Sequence, residues 1–173
     1  ICTDAWAHFP VGIEFIGGHP IAGREVGGVE NSSASLFEKA PYVLCPRPGA
    51  ARDSLERLQA LIERLGAQTW IMSPEEHDQT IAWLSDIPQL LSTALADLAG
   101  KENLEIAGSG LRDMVRLAGS PYSVWDSILK TNQDHIDRCL GEFIEYLEQM
   151  RSALRKGSLA AEFARAVEVY GRL

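Results

Sequence analysis

The sequence predicts an α/β layer that gives way, at Ser73, to an all-helical segment. Residues 1–72 are rich in Gly and Pro and carry short apolar runs bounded by turn residues, the pattern of strands. A stretch at helical period lies between two of those runs, and beyond Ser73 helical spacing takes over.

The apolar runs at 13–18, 42–44 and 69–72 read as strands. Between the last two, Leu55, Leu58, Leu61, Ile62 and Leu65 recur at helical spacing, and Gly66 stands where a C-terminal cap belongs. Ser73, Pro74 and Glu76 then supply an N-cap, a proline at the first helical position and the acid that closes a capping box. Ile81, Leu84, Ile87, Leu90, Leu91, Ala94, Leu95 and Leu98 mark one buried face, with a kink predicted at Pro88 and an end at Gly100. After a short segment at 104–117, Ser120 and Pro121 signal a new start. The stripe from Val124 through Trp125, Ile128, Ile136, Leu140 and Phe143 to Leu154 predicts a helix over thirty residues long, packed across a subunit partner. A last short helix is expected within 158–173.

With 173 residues, 46% of them hydrophobic and 23% charged, the chain can bury a real core in one domain or a little more. Its net charge of -8 and pI near 5.0 argue against nucleic acid and anionic membranes as partners, because both require a basic surface. An anionic ligand must therefore be held by locally placed Arg, Lys or His. Cys2, Cys45 and Cys139 are odd in number and far apart, so neither a disulfide framework nor a metal site is expected, and a reducing cytoplasm is the default. No apolar run reaches 18 residues and no signal peptide opens the chain. The start at Ile1, without Met, predicts that residue 1 is not the natural beginning.

Among residues that can carry chemistry, His19 follows the first predicted strand and lies between Gly17-Gly18 and Gly23. Strand ends are where α/β proteins place reactive groups, although a turn with an incidental surface His reads equally from the spacing. His77 lies near a helix N-terminus, where a neutral imidazole can donate to a carboxylate or hydroxyl; the alternative is a solvated His in an acidic first turn. If 109–117 is helical, Arg112 and Arg116 share a face and Asp113 orients Arg116; the alternative is an ordinary surface ion pair. Trp125 reads as core or as a ligand platform, and Asn132 as a satisfied polar residue. No nucleophile elbow, phosphate loop, zinc spacing or G-x-G-x-x-G is present.

The segment FIGGHPIAGREVGGVENSSASLFEKAPYVLCP at 15–46 resembles the signature region of the prephenate and arogenate dehydrogenases. SPEEHDQTIAWLSDIP at 73–88, SGLRDMVRLAGSPYSVW at 109–125 and Asn132 of TNQ follow in that family's order. The resemblance implies an α/β remnant of a Rossmann domain at 1–72, followed by an all-α substrate-binding and dimerisation domain at 73–173. It implies NAD or NADP as cofactor, prephenate or arogenate as substrate, and a cytoplasmic homodimer. His19 matches the histidine that takes the proton of the ring hydroxyl, and Arg116 the arginine that binds a substrate carboxylate. His77, Asp113 and Trp125 match pocket residues, and Glu25 a position that lines the pocket in some members. Asp4 and Gly18 fall beside the cofactor.

Three departures from that pattern bear on substrate choice: Arg24 stands where many members carry Thr, and Asp86 and Gln89 replace histidines. The segment from Cys2 to Ala5 resembles a late Rossmann strand that precedes a Gly-Ser-Thr-Lys loop, yet it runs directly into Trp6. The loop and its following helix are therefore expected to be missing, either across a gap or in a shortened chain. A second reading is a non-catalytic helical dimerisation or regulatory module derived from the same family. A third, a dehydrogenase of the 6-phosphogluconate or ketol-acid type, is disfavoured by the GGHPIAG block.

Overall fold

The computed structural model describes residues 1–23 and 28–173. One three-stranded sheet has the order β1 (Gly17–Pro20), β2 (Pro41–Cys45), β3 (Gln68–Ile71). β1 runs antiparallel to β2, with His19 opposite Val43 and Gly17 opposite Cys45. β2 and β3 are parallel, as the strand, helix, strand order requires. Opposed residues share a face and successive residues alternate, so Tyr42 and Leu44 fall on one side of the sheet and His19, Val43 and Cys45 on the other.

The expected strand at 2–5 is instead a helix, α1 (Cys2–His8). No strand among the described residues pairs with it, and an extended segment without a ladder would leave its backbone groups unpaired. They close locally: the Ala5 amide donates to the Ile1 carbonyl and the Phe9 amide to that of Ala5, both at 2.9 Å. The first strand also begins later than the apolar run suggests. His19 consequently lies within β1 rather than after it.

α2 (Arg52–Arg64) crosses the sheet and packs Ile62 against Leu44 and Ala67, the first of two cores. Its end is set by Gly66, whose φ of +88° is open to glycine at little cost. α3 (Pro74–Ile81) starts on the predicted capping box: the Glu76 amide donates to Ser73 Oγ, and the Ser73 amide to Glu76 Oε2.

The kink expected at Pro88 takes the form of a π-helical turn at Ala82–Asp86, which leads into α4 (Ile87–Ala99). Proline cannot donate to the carbonyl of Leu84 and its ring crowds that group. The helix widens, and the Ile87 amide reaches back five residues to Ala82. Ala82 and Ile87 pack with Ile136 and Cys139 in the second core.

α5 (Ser109–Met114) is too short to place Arg112, Asp113 and Arg116 on one helical face. Arg116 instead opens a 3-10 turn at Arg116–Gly119. Two buried polar side chains of α4 hold this turn: Gln89 Nε2 donates to the Leu117 carbonyl at 3.0 Å, and Ser92 Oγ accepts from the Ala118 amide at 3.0 Å.

The single long helix predicted after Ser120 is two, α6 (Tyr122–Thr131) and α7 (Gln133–Arg155). They meet at Asn132, with φ −120° and ψ 21°. An apolar stripe does not register such a break, because the cause is tertiary: the Asn132 amide is engaged elsewhere, as described below. α8 (Ala160–Tyr170) is the expected last helix.

Candidate active site

The chemistry-bearing groups converge in a cavity of about 380 Å³ between the sheet and the helices. Its walls include Gly17, Gly18, His19 and Cys45 from the sheet, and His77, Asp78, Asp86 and Asn132 from α3, the π-turn and the α6–α7 break. Gly17 is required by close approach: a Cβ there would stand 2.6 Å from Cys2 Sγ. A larger hollow of about 640 Å³ adjoins the start of α2 and includes Arg47. That helix start is already capped by Glu14, whose Oε1 accepts from the Ala51 amide at 2.7 Å, and no histidine reaches the hollow.

His19 and His77, 58 residues apart in sequence, meet in the cavity: His19 Nδ1 lies 2.8 Å from His77 Nε2, with the rings edge to face. His77 Nδ1 lies 2.7 Å from Asp78 Oδ1. Both nitrogens of His77 are therefore engaged, which differs from the expectation that it donates to a ligand. Burial pushes the His19 pKa below its ordinary value, the His77 ring adds to the effect, and Asp78 opposes it. His19 itself remains exposed to solvent, whereas the His77 side chain is only 16% exposed.

Beneath this pair, Asn132 Nδ2 donates to the Asp78 carbonyl at 2.9 Å and to Asp86 Oδ2 at 3.0 Å. One side chain thereby ties α3, the π-turn and α7 together. Asp86 is 0% exposed, and burial raises its pKa despite the Asn132 bond. Among the described residues, Asp86 Oδ1 and Asn132 Oδ1 are buried without hydrogen-bond partners. The two thiols at the wall are weak acids: burial raises both, Cys45 to about 11, so neither is a thiolate nucleophile near neutrality.

Of the residues singled out from sequence, the structure brings His19, His77 and Gly18 to this cavity. Arg116, Asp113, Trp125 and Asp4 are not among its lining residues. Asp4 sits exposed on α1, Trp125 is half-buried on α6, and Arg116 and Asp113 are exposed. Glu25 and Arg24 lie outside the described residues. Asp86 and Asn132, both noted from sequence, also line the cavity, whereas Asp78 is the candidate that sequence reasoning missed, its adjacency to His77 being the available signal.

A histidine pair backed by the Asp78 carboxylate, between a partly parallel sheet and a helical unit, is an arrangement able to hold and pass a proton. The chain belongs to the prephenate dehydrogenase family: its nucleotide-binding domain model matches residues 1–72 and its dimerization domain model matches residues 73–168. The prephenate dehydrogenase of Bacillus subtilis is 34% identical over 149 residues, which cover 83% of this chain and 40% of that protein. The cyclohexadienyl dehydrogenase of Zymomonas mobilis is 27% identical over 143 residues, 79% of this chain and 49% of that protein. The chain thus spans under half the length of these curated relatives.

Among solved structures, arogenate dehydrogenase from Synechocystis matches with a TM-score of 0.76 at 29% identity, over 91% of this chain and 59% of that one. Prephenate dehydrogenase from A. aeolicus, in complex with hydroxyphenyl propionate and NAD+, matches with a TM-score of 0.81 at 26% identity, over 91% of this chain and 58% of that one.

Proposed function

We propose that this chain is the substrate side of a prephenate or arogenate dehydrogenase, in which His19 takes the proton of the ring hydroxyl. The observation that carries this is the His19 ring in the cavity, with its one hydrogen bond made through Nδ1. Oxidising the ring carbinol to a dienone requires a base for the hydroxyl proton, and loss of the carboxylate from the opposite ring carbon as CO2 leaves an aromatic phenol. A histidine held on the neutral side at physiological pH suits that role. Either substrate carries two carboxylates, so a cation must offset the field of an acidic protein; Arg116, on the turn fixed by Gln89 and Ser92, is our candidate. Asp113, Trp125 and Glu25 are proposed to complete the substrate pocket.

The oxidant in this reading is NAD or NADP, with Gly18 and Asp4 as candidate contacts. The described residues do not form a seat for its phosphates. The chain has no G-x-G-x-x-G, and the one strand that leads into a helix across the sheet, β2, reaches a helix start occupied by Glu14. A second reading is a non-catalytic dimerisation or regulatory module of the same family.

We read residues 1–72 as part of the nucleotide-binding domain and 73–173 as the helical substrate-binding and dimerisation domain, acting as a cytoplasmic homodimer. Exposed Phe163, Val167 and Tyr170 on α8, with Ile144, Leu147 and Leu154 on α7, support a covered helical surface. Among the described residues no helix is long and apolar enough to cross a membrane.

The test is reduction of NAD and of NADP by the full-length protein with prephenate and with arogenate. No turnover in any of the four combinations refutes the enzyme and leaves the module. His19→Asn is expected to lower kcat by about 10²–10⁴-fold, the range of general-base contributions. Arg116→Gln is expected mainly to raise KM. Near-normal turnover in His19→Asn would remove that residue from its role.

A further inference from the structure

We propose that Asp78 and His77 are positioning residues that fix the tautomer of His19, so that its Nε2 presents a bare lone pair to the cavity. The inference rests on the reading of His19 as proton acceptor and extends it to two groups that need not touch substrate.

An ionised carboxylate only accepts hydrogen bonds, so the proton between Asp78 Oδ1 and His77 Nδ1, 2.7 Å apart, belongs to the ring. A neutral imidazole with hydrogen on Nδ1 has a lone pair on Nε2. The contact between His77 Nε2 and His19 Nδ1, at 2.8 Å, then requires the hydrogen on His19 Nδ1. His19 Nε2 is left unprotonated. Each step follows from donor and acceptor chemistry, and the chain of assignments has one free end, at the ring nitrogen that a hydroxyl proton would reach.

The arrangement also has a support. Asn132 Nδ2 donates to the backbone carbonyl of Asp78, which anchors this end of α3 to the start of α7. The carboxylate carries the assignment, because without it both His77 tautomers become available and His19 loses its bias. When His19 gains a proton on Nε2, its Nδ1 hydrogen still points at His77, and the resulting cation faces Asp78 through one ring. Other ionisable groups at this wall are Asp86 and the Cys2 and Cys45 thiols. None is hydrogen-bonded to either histidine.

The experiment reads the ring nitrogens directly, by long-range ¹H–¹⁵N correlation on the ¹⁵N-labelled 173-residue chain at a pH above the imidazole titration range. In the wild type, His19 is expected to show a protonated Nδ1 and a bare Nε2, with widely separated ¹⁵N signals. Asp78→Ala should collapse that separation toward a tautomer mixture. Adding His77→Glu to Asp78→Ala places an acceptor-only group beside Nδ1 and should restore the separation. A merely structural role for Asp78 would not move these signals. Asp78 is 46% exposed, so its truncation should leave the fold intact, and the wild-type spectrum is decisive without any variant. A protonated Nε2 in wild-type His19, or an unchanged ring in Asp78→Ala, overturns the proposal. The signals are read without substrate, so a protein that turns over neither prephenate nor arogenate refutes the proposed activity while the tautomer stands or falls on its own.

Discussion

Replacing Asp86 by asparagine is expected to stabilise the protein at neutral pH. Asp86 is 0% exposed and accepts a hydrogen bond from Asn132, while its second oxygen and the Asn132 carbonyl oxygen have no partner among the described residues. Burial raises its pKa above the ordinary 3.8. In the window between those two values the folded chain holds more protons than the unfolded one, so stability falls as pH rises through it. An asparagine keeps the shape, still accepts the Asn132 hydrogen through its carbonyl, and replaces a buried, ionisable oxygen by an uncharged NH2. A buried unsatisfied polar group costs about 1–3 kcal/mol, so the gain expected near pH 7.5 is about 1–3 kcal/mol. For a chain of this size that corresponds to a Tm higher by about 2–12 °C. Urea unfolding near pH 7.5 and again near pH 4 is the assay, with the m-value unchanged and the gain shrinking on acidification, where the wild-type carboxyl is increasingly neutral. An Asp86→Asn protein less stable than wild type near pH 7.5, or a gain equal at both pH values, would refute this account of the buried carboxyl.

Leu44, 0% exposed, packs on the sheet face opposite His19; Leu44→Ala should cost about 2–5 kcal/mol in urea unfolding yet leave the His19 ring signals in place, and a loss below about 1 kcal/mol would deny it a packed core. Gly17→Ala drives a methyl into Cys2 Sγ, so Cys2 should be modified faster by a thiol reagent; an unchanged rate would mean that α1 does not seat on β1. Because the His19 pKa is lowered in the fold, stability is complete above its ordinary 6.5 and declines as pH falls through that value toward the folded one. His19→Asn should flatten this part of the stability curve relative to wild type, and parallel curves would contradict the lowered pKa.

The parts of the fold legible in sequence are those decided within a few residues. The capping box at Ser73 and Glu76, the Gly66 stop after α2 and the β2–α2–β3 order all follow from local chemistry and period. What was not legible depends on partners distant in the chain. The break at Asn132 interrupts a continuous apolar stripe because its side chain is claimed by Asp78 and Asp86, 54 and 46 residues away. The segment at 2–5 resembles a family strand but has no strand among the described residues to pair with, and forms α1. Pro88 announced a disturbance, while its resolution as a π-turn depended on α7 packing against Ala82 through Ile136 and Cys139. His19 and His77 were each identifiable; their bond was not, since nothing in either local sequence encodes a partner 58 residues away.

The buried polar groups also indicate why the site lies where it does. Each half of the chain has its own apolar core, one around Leu44 and Ile62, the other around Ile87 and Cys139. Asp86, Gln89 and Ser92 are the buried polar residues among those described, and all three lie on the π-turn and the first turns of α4. Gln89 and Ser92 are spent on backbone groups of the turn that carries Arg116, and Asp86 on the asparagine that anchors Asp78. A helix serving only as core would gain stability from apolar residues at these positions. Their presence is the expected mark of a segment that holds the geometry of the proposed site on both sides at some expense to stability. Asp86→Asn tests this trade-off directly, because a gain in stability there would measure what the fold gives up to keep a carboxyl at the cavity wall.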